Sequence, residues 1–164
     1  MDIDPEKLAF ARELGAERTV DARAEADVPG CVREATGGGA HVSLDALGSA
    51  AVCHAAVSGL RKRGRHVQVG LLPPEERDAA LPMALVIGRE LEIVGSHGMP
   101  AARYAELLDR VVRGELDPGR LIGRTIGLGE AGTALVAMGG FAGPGITVIE
   151  PGRGEHGHGS QGRR

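Results

Sequence analysis

Short apolar runs alternate with helix-forming stretches along most of this chain, and that alternation is what most constrains its fold. Arg18–Asp21, His41–Gly48, residues 65–72 and Leu91–Ser96 read as strands. Helices are predicted over 5–14, 24–35, 50–61, near 82–88, and over 101–112. His41-Val-Ser-Leu-Asp-Ala-Leu-Gly48 is nearly continuous in apolar character, as for a parallel strand covered on both faces. Strands that alternate with helices pair in parallel through right-handed crossovers, so the expected class is α/β. The rhythm changes after residue 115. Leu116-Asp-Pro-Gly119 reads as a turn, 121–126 as a strand, 129–138 as a helix and 146–149 as a final strand. Residues 151–164 are polar and Gly-rich, too poor in apolar groups to order.

The first sixteen residues carry the sharpest local signal. They read as the end of a strand, an acidic tip and an amphipathic helix. Pro5 suits a first helical turn, where its missing N–H costs nothing. Leu8, Ala11 and Leu14 recur at helical spacing, and Gly15 suits a left-handed C-terminal cap. An acid at the carboxyl end of a strand, followed at once by a helix, is where a dinucleotide-binding fold takes the hydroxyls of an adenosine ribose, which points to Asp2. That fold carries a Gly-x-Gly-x-x-Gly turn about 20 residues earlier. Thr36-Gly-Gly-Gly39 does not substitute for it, because these glycines precede a strand and open no helix. The expectation is that the chain opens inside a nucleotide-binding domain.

Other features narrow the functional classes. With two Phe, one Tyr and no Trp, the chain lacks the rings that single-stranded nucleic acid stacks on. A net charge of −3 gives no general attraction to nucleic acid or to anionic membrane. No apolar run approaches the roughly 20 residues of a membrane span, and the acidic start lacks a signal-peptide core, so the expected location is the cytoplasm. Cys31 and Cys53 fall within predicted helices and read as buried, reduced thiols. Arg61-Lys-Arg-Gly-Arg65 reads as a basic turn whose charges favour a helix C-terminus over a phosphate site. The amphipathic helix at 101–112 presents Tyr104, Leu107, Leu108, Val111 and Val112 on one face. His156 and His158 lie in the polar tail, without the partner that would fix a metal-binding imidazole.

Taken in order, several segments resemble the C-terminal half of the medium-chain dehydrogenase/reductase family, the zinc-type alcohol dehydrogenases. They are Asp2-Ile-Asp-Pro-Glu-Lys7 with Ala11-Arg-Glu-Leu-Gly-Ala16, Thr36 to Gly48, Gly64-Arg-His-Val-Gln-Val-Gly70, Leu91-Glu-Ile-Val-Gly-Ser96 and Gly143-Pro-Gly-Ile-Thr-Val-Ile149. The resemblance covers about residues 1–150. It implies an incomplete Rossmann-like parallel sheet with flanking helices, lacking the first strand and helix, plus a C-terminal strand-helix-strand extension. The implied domains are a partial nucleotide-binding domain over 1–115, a segment over 116–150 that completes the catalytic domain, and a disordered tail over 151–164.

The same resemblance implies NAD as cofactor. Asp2, with Ile3 beside it, would take the adenosine ribose hydroxyls and disfavour a 2′-phosphate, and Lys7 would reach the same ribose. Ala46 and Leu47 would pack on the nucleotide. Val69, Gly70 and Leu71 would lie along the nicotinamide, with backbone groups facing its carboxamide. Strand 91–96 would be the edge through which such dehydrogenases pair into homo-oligomers. Read from the residues alone, Asp2 and Lys7 are better described as a solvated helix start, and Ala46, Leu47, Val69 and Leu71 as an ordinary core; the resemblance reverses that preference.

The zinc that polarises the substrate oxygen in this family needs three protein ligands and an open position. Cys31 and Cys53 match no ligand position, and His41, His54, His66 and His97 are scattered without ligand spacing. The resemblance therefore places zinc, and every catalytic group, in an absent N-terminal domain. The implied function is hydride transfer between an alcohol or aldehyde and nicotinamide, present here as a truncated fragment without turnover of its own. A non-catalytic interaction module and a decayed fragment are the alternatives.

Overall fold

The computed structural model describes residues 1–140 and 143–153. The tail assignment at 154–164, including His156 and His158, lies outside the described residues, whereas Pro151–Arg153 form a turn. The chain divides into two compact units, Met1–Met99 and Pro100–Arg164.

The first unit begins with helix α1, Pro5–Glu13. Asp4 caps it by accepting the Glu6 amide at 2.9 Å, which satisfies one of the free N–H groups at a helix start. Helix α2 follows at Val28–Ala35. The sequence reading begins this helix at residue 24 with a kink or late start at Pro29-Gly30, and the chain adopts the late start. Asp27 caps it at the Gly30 amide, 2.8 Å away, leaving Pro29 in the first turn, where it is tolerated. The expected strand at 18–21 is reduced to one parallel bridge between Asp2 and Asp21.

Strand β1 (Ala40–Asp45), helix α3 (Ala50–Ser58) and strand β2 (Leu60–Gln68) form a parallel crossover unit. Ser49 caps α3 through the Val52 amide at 3.2 Å, as its sequence position predicts. A short helix α4 (Met83–Gly88) then leads to strand β3 (Glu92–Gly95), giving a parallel sheet of order β1-β2-β3. Buried Leu60 and Val57 centre the core beneath it, with Cys53 beside them.

Two expectations for this sheet are corrected. Arg61–Arg65 is not the last turn of α3 but the irregular start of β2. The register passes from Ala40↔Leu60 to Val42↔Arg65, so the intervening basic residues bulge out. Arg63 there takes φ 60°. These side chains meet carboxylates: Lys62 and Arg63 lie 3.5 and 3.8 Å from Glu90, and Arg65 donates to Glu92 at 2.7 Å. Arg61 contacts His41 at 2.6 Å. Strand β1 is also not covered on both faces, since Val42 is 51% and Leu44 66% exposed. Cys31 is likewise only half-buried, its thiol 3.2 Å from a Glu25 oxygen, whereas Cys53 is buried; both are free.

The second unit holds helix α5 (Tyr104–Val112), strand β4 (Ile122–Gly127), helix α6 (Ala131–Ala137) and strand β5 (Ile146–Glu150). Strands β4 and β5 pair in parallel, and Ile126 is buried on β4. The predicted face of α5 remains open, with Tyr104, Leu107, Leu108 and Val112 all exposed. No helix among the described residues is long and apolar enough to cross a membrane.

With so few fully buried apolar side chains, each one matters. Leu60→Ala is expected to cost about 2–5 kcal/mol in urea unfolding, whereas Val136→Ala on exposed α6 should stay within about 0.5 kcal/mol. Equal effects would show that the core does not sit where β2 meets α3.

Candidate functional site

The carboxyl ends of β1 and β2 lie side by side, and the chain leaves each through a tight turn. Asp45 ends β1 and is fully buried. Its Oδ1 accepts the Leu47 and Gly48 amides at 2.8 and 2.9 Å, closing the first turn. Its backbone carbonyl accepts the Val69 and Gly70 amides at 2.9 and 2.8 Å, tying the second turn to the first. The fit is close enough that a Cβ on Gly48 would collide with the Leu71 carbonyl, and one on Gly70 with the Gly48 amide. Gly48 also adopts φ +84°, a conformation side chains disfavour.

Beneath the turns runs a polar ladder. The register pairs Ser43 with His66 and Asp45 with Gln68, two rungs on one face of the sheet. Ser43 Oγ lies 3.0 Å from His66 Nδ1, and His66 Nε2 lies 3.1 Å from Gln68 Oε1. Gln68 Nε2 donates to Asp45 Oδ2 at 2.9 Å and to the Gly70 carbonyl at 2.8 Å. His66 is fully buried, and the Cys53 thiol stands 3.7 Å from its Nε2. Burial works to raise the Asp45 carboxyl. The Gly48, Gln68 and Leu47 donors and the field of His66 outweigh it, holding Asp45 below the ordinary carboxylate range. Burial pushes the Cys53 thiol up, and neighbouring Asp45 adds to the effect.

Above the ladder, the candidate contact residues face solvent. Leu47 is 64%, Val69 43% and Leu71 77% exposed, and Ala46 is exposed too. These four are therefore not core. Gly70 is half-buried between the turns. With the Val69 and Gly70 amides and the Gly70 carbonyl engaged inward, the Val69 carbonyl and Leu71 amide make no hydrogen bond among the described residues. Residues 69–71 thus offer one donor, the Leu71 amide, and two acceptors, the Val69 and Leu71 carbonyls, between apolar side chains.

Asp2, Ile3 and Lys7 lie elsewhere in the same unit, at the start of α1. Asp2 is half-buried, and its Oδ1 accepts the Asp4 amide at 3.0 Å, with no hydrogen bond to Oδ2 among the described residues. Ile3 is exposed and Lys7 half-buried one turn on. The structure brings 46–47 together with 69–71 through the two turns, and no hydrogen bond among the described residues joins Asp2 or Ile3 to them. Asp45, Gln68 and His66 were not among the sequence candidates. Polar residues two apart on consecutive predicted strands were the available signal, and only the strand register turns them into a ladder.

A family model described as zinc-binding dehydrogenase matches residues 1–113. The chain belongs to the zinc-binding dehydrogenase family. Among curated relatives, the D-arabitol-phosphate dehydrogenase of Enterococcus avium is 30% identical over 128 residues, covering 77% of this chain and 36% of that protein. The geraniol dehydrogenase of Castellaniella defragrans is 33% identical over 126 residues, covering 77% and 30%. A crystal structure of an NAD-dependent alcohol dehydrogenase superposes with a TM-score of 0.78 at 29% identity, over 90% of this chain and 41% of that one. The alcohol dehydrogenase of Aeropyrum pernix gives 0.78 at 28%, over 92% and 41%. This zinc-binding dehydrogenase chain therefore spans about a third of its curated relatives and two fifths of these solved structures.

The two groups that such a family implies fare differently here. The exposed rim, with its free carbonyls and amide, fits the carboxamide end of a nicotinamide. Zinc does not fit: no cluster of three or more His, Cys, Asp or Glu side chains able to hold a metal occurs among the described residues.

The Asp45 carboxyl links this site to acid stability. A carboxyl held lower in the folded than in the unfolded chain contributes stability above its unfolded pKa, about 3.9, and that contribution is lost as pH falls through the folded value. Urea midpoints should drop as pH is lowered below about 4, and Asp45→Asn should flatten that drop while lowering stability by about 1–3 kcal/mol at pH 7. An unaltered pH profile in Asp45→Asn would remove Asp45 as its source.

Proposed function

We propose that this chain is the cofactor-binding portion of an NAD-dependent, zinc-type alcohol dehydrogenase. In the full-length parent, hydride passes between a small alcohol or aldehyde and nicotinamide. The observation that carries this reading is the pair of strand-end turns, whose Val69 carbonyl and Leu71 amide complement the NH₂ and C=O of a carboxamide. Ala46, Leu47 and Leu71 supply an apolar surface beside it, and ligands of open α/β sheets bind at strand carboxyl ends.

Asp2 Oδ2, with Ile3 adjacent, takes the adenosine ribose hydroxyls, and Lys7 reaches the same sugar. A 2′-phosphate would meet the Asp2 charge, so NAD is preferred over NADP. NAD, when bound, supplies the hydride acceptor. This chain's residues bind and orient it and contribute no catalytic group. Zinc and its ligands belong to an N-terminal catalytic domain, so the 164-residue chain alone has no turnover.

In this reading residues 1–115 form the partial nucleotide-binding domain and 116–150 the segment that completes the catalytic domain. The protein works in the cytoplasm, with neither nucleic acid nor membrane as partner. Strand β3, exposed along its length, is the edge through which copies pair. A second reading, a non-catalytic interaction module, draws on the open apolar face of α5 and the exposed Val42 and Leu44.

Fluorescence titration with NADH separates the two. The expected result is saturable binding with at least about a tenfold preference for NADH over NADPH, a difference of roughly 1.4 kcal/mol, and Asp2→Ala should abolish the preference. No saturable binding up to millimolar NADH would overturn the cofactor reading and leave the interaction module.

A further inference from the structure

The ladder beneath the strand ends has a direction, and the chemistry of its members fixes it. Gln68 Nε2 lies within hydrogen-bond distance of Asp45 Oδ2 and the Gly70 carbonyl, at 2.9 and 2.8 Å. An ionised carboxylate and a carbonyl only accept, so the amide NH₂ must face them. That leaves Gln68 Oε1, an acceptor, 3.1 Å from His66 Nε2. The proton of the neutral ring therefore sits on Nε2, and bare Nδ1 accepts the Ser43 hydroxyl at 3.0 Å. The Cys53 thiol, at 3.7 Å, is a weak second neighbour of Nε2.

We propose that Ser43, His66, Gln68 and Asp45 form a one-way hydrogen-bond relay, with Asp45 setting the tautomer of His66 and Gln68 serving as a positioning residue for the rim. This rests on the reading of Val69–Leu71 as the nicotinamide-facing segment. Each donor points toward Asp45, and the second proton of the Gln68 NH₂ draws the Gly70 carbonyl inward. With that carbonyl held and the Val69 and Gly70 amides tied to Asp45, the groups of 69–71 left uncommitted are the Val69 and Leu71 carbonyls and the Leu71 amide. The relay thereby decides which backbone groups remain for a ligand.

The relay makes an unusual prediction. Asp45→Asn keeps an acceptor for the Leu47 and Gly48 amides but turns an NH₂ toward Gln68. To accept from it, the Gln68 amide must flip, which places its own NH₂ against His66 Nε2. Nε2 must then accept, so the ring proton moves to Nδ1 and donates to Ser43. The Gly70 carbonyl loses its donor. One substitution reverses every bond in the chain.

The test is long-range ¹H–¹⁵N correlation on ring-labelled histidine in the full chain at pH 8, alongside amide exchange and NADH titration. The native protein should show Nε2–H and Asp45→Asn should show Nδ1–H, with exchange at Gly70 quickened and NADH affinity weakened, each about tenfold. Val136→Ala, on exposed α6, should keep Nε2–H and bind NADH within twofold of native. A native ring protonated on Nδ1, an Asp45→Asn protein that keeps Nε2–H, or a switched tautomer with unaltered Gly70 exchange would each overturn the relay. Should Asp45→Asn fail to fold, Gln68→Met takes its place, and unchanged Gly70 exchange would overturn the positioning role. A native chain that binds no NADH but still switches tautomer and exchange supports the relay while sinking the cofactor reading, so the two failures are told apart.

Discussion

Everything at the candidate site hangs on one buried carboxylate. Asp45 has no ion-pair partner among the described residues and is held instead by three N–H donors, from Leu47, Gly48 and Gln68. An isolated buried charge is expensive in a protein interior, and hydrogen bonds from fixed donors are one of the few ways to offset that cost. Two of those donors belong to the turn that Asp45 itself begins, and the third comes from the facing strand. The same residue's carbonyl secures the turn leaving β2. Local turn, strand pairing and the shape of the rim therefore converge on one residue, through its side chain and its main-chain carbonyl.

Much of the fold was legible in the order of its segments. Apolar runs and helical stretches gave parallel β1, β2 and β3 and the later β4-α6-β5 unit, and the caps at Ser49 and Asp4 sit at the positions their residue types favour. What was not legible depended on register. Basic residues after a helix look the same whether they end the helix or bulge from the next strand, and only the step from Ala40↔Leu60 to Val42↔Arg65 distinguishes them. Asp45 and Gln68 likewise read as interruptions in apolar strands until pairing places them opposite each other. The run at 18–21 kept just its Asp21 bridge to Asp2.

The sheet's two faces depart from the usual arrangement. The face that carries Ser43, Asp45 and His66 is the better buried, while Val42 and Leu44 on the other side are open. Alternation along β1 would normally hide the aliphatic set and expose the polar one. Here the polar set is internally satisfied, so burying it is tolerable, and the aliphatic set is what remains available. Strand β1 pairs only with β2 among the described residues, so this apolar row lies on an edge strand.

The contact between Gly48 and Gly70 carries a different kind of consequence. Because two main chains meet there with no space for a side chain, the hydrogen-bonding pattern of the rim is written in peptide groups rather than in residue identity. Ala46, Leu47, Val69 and Leu71 can each change in bulk without altering which carbonyl and which amide are presented. Under the proposed cofactor reading, such a surface would separate which ligand groups it meets from how tightly it holds them: the glycines would keep the first constant, and drift at the four flanking positions would tune the second.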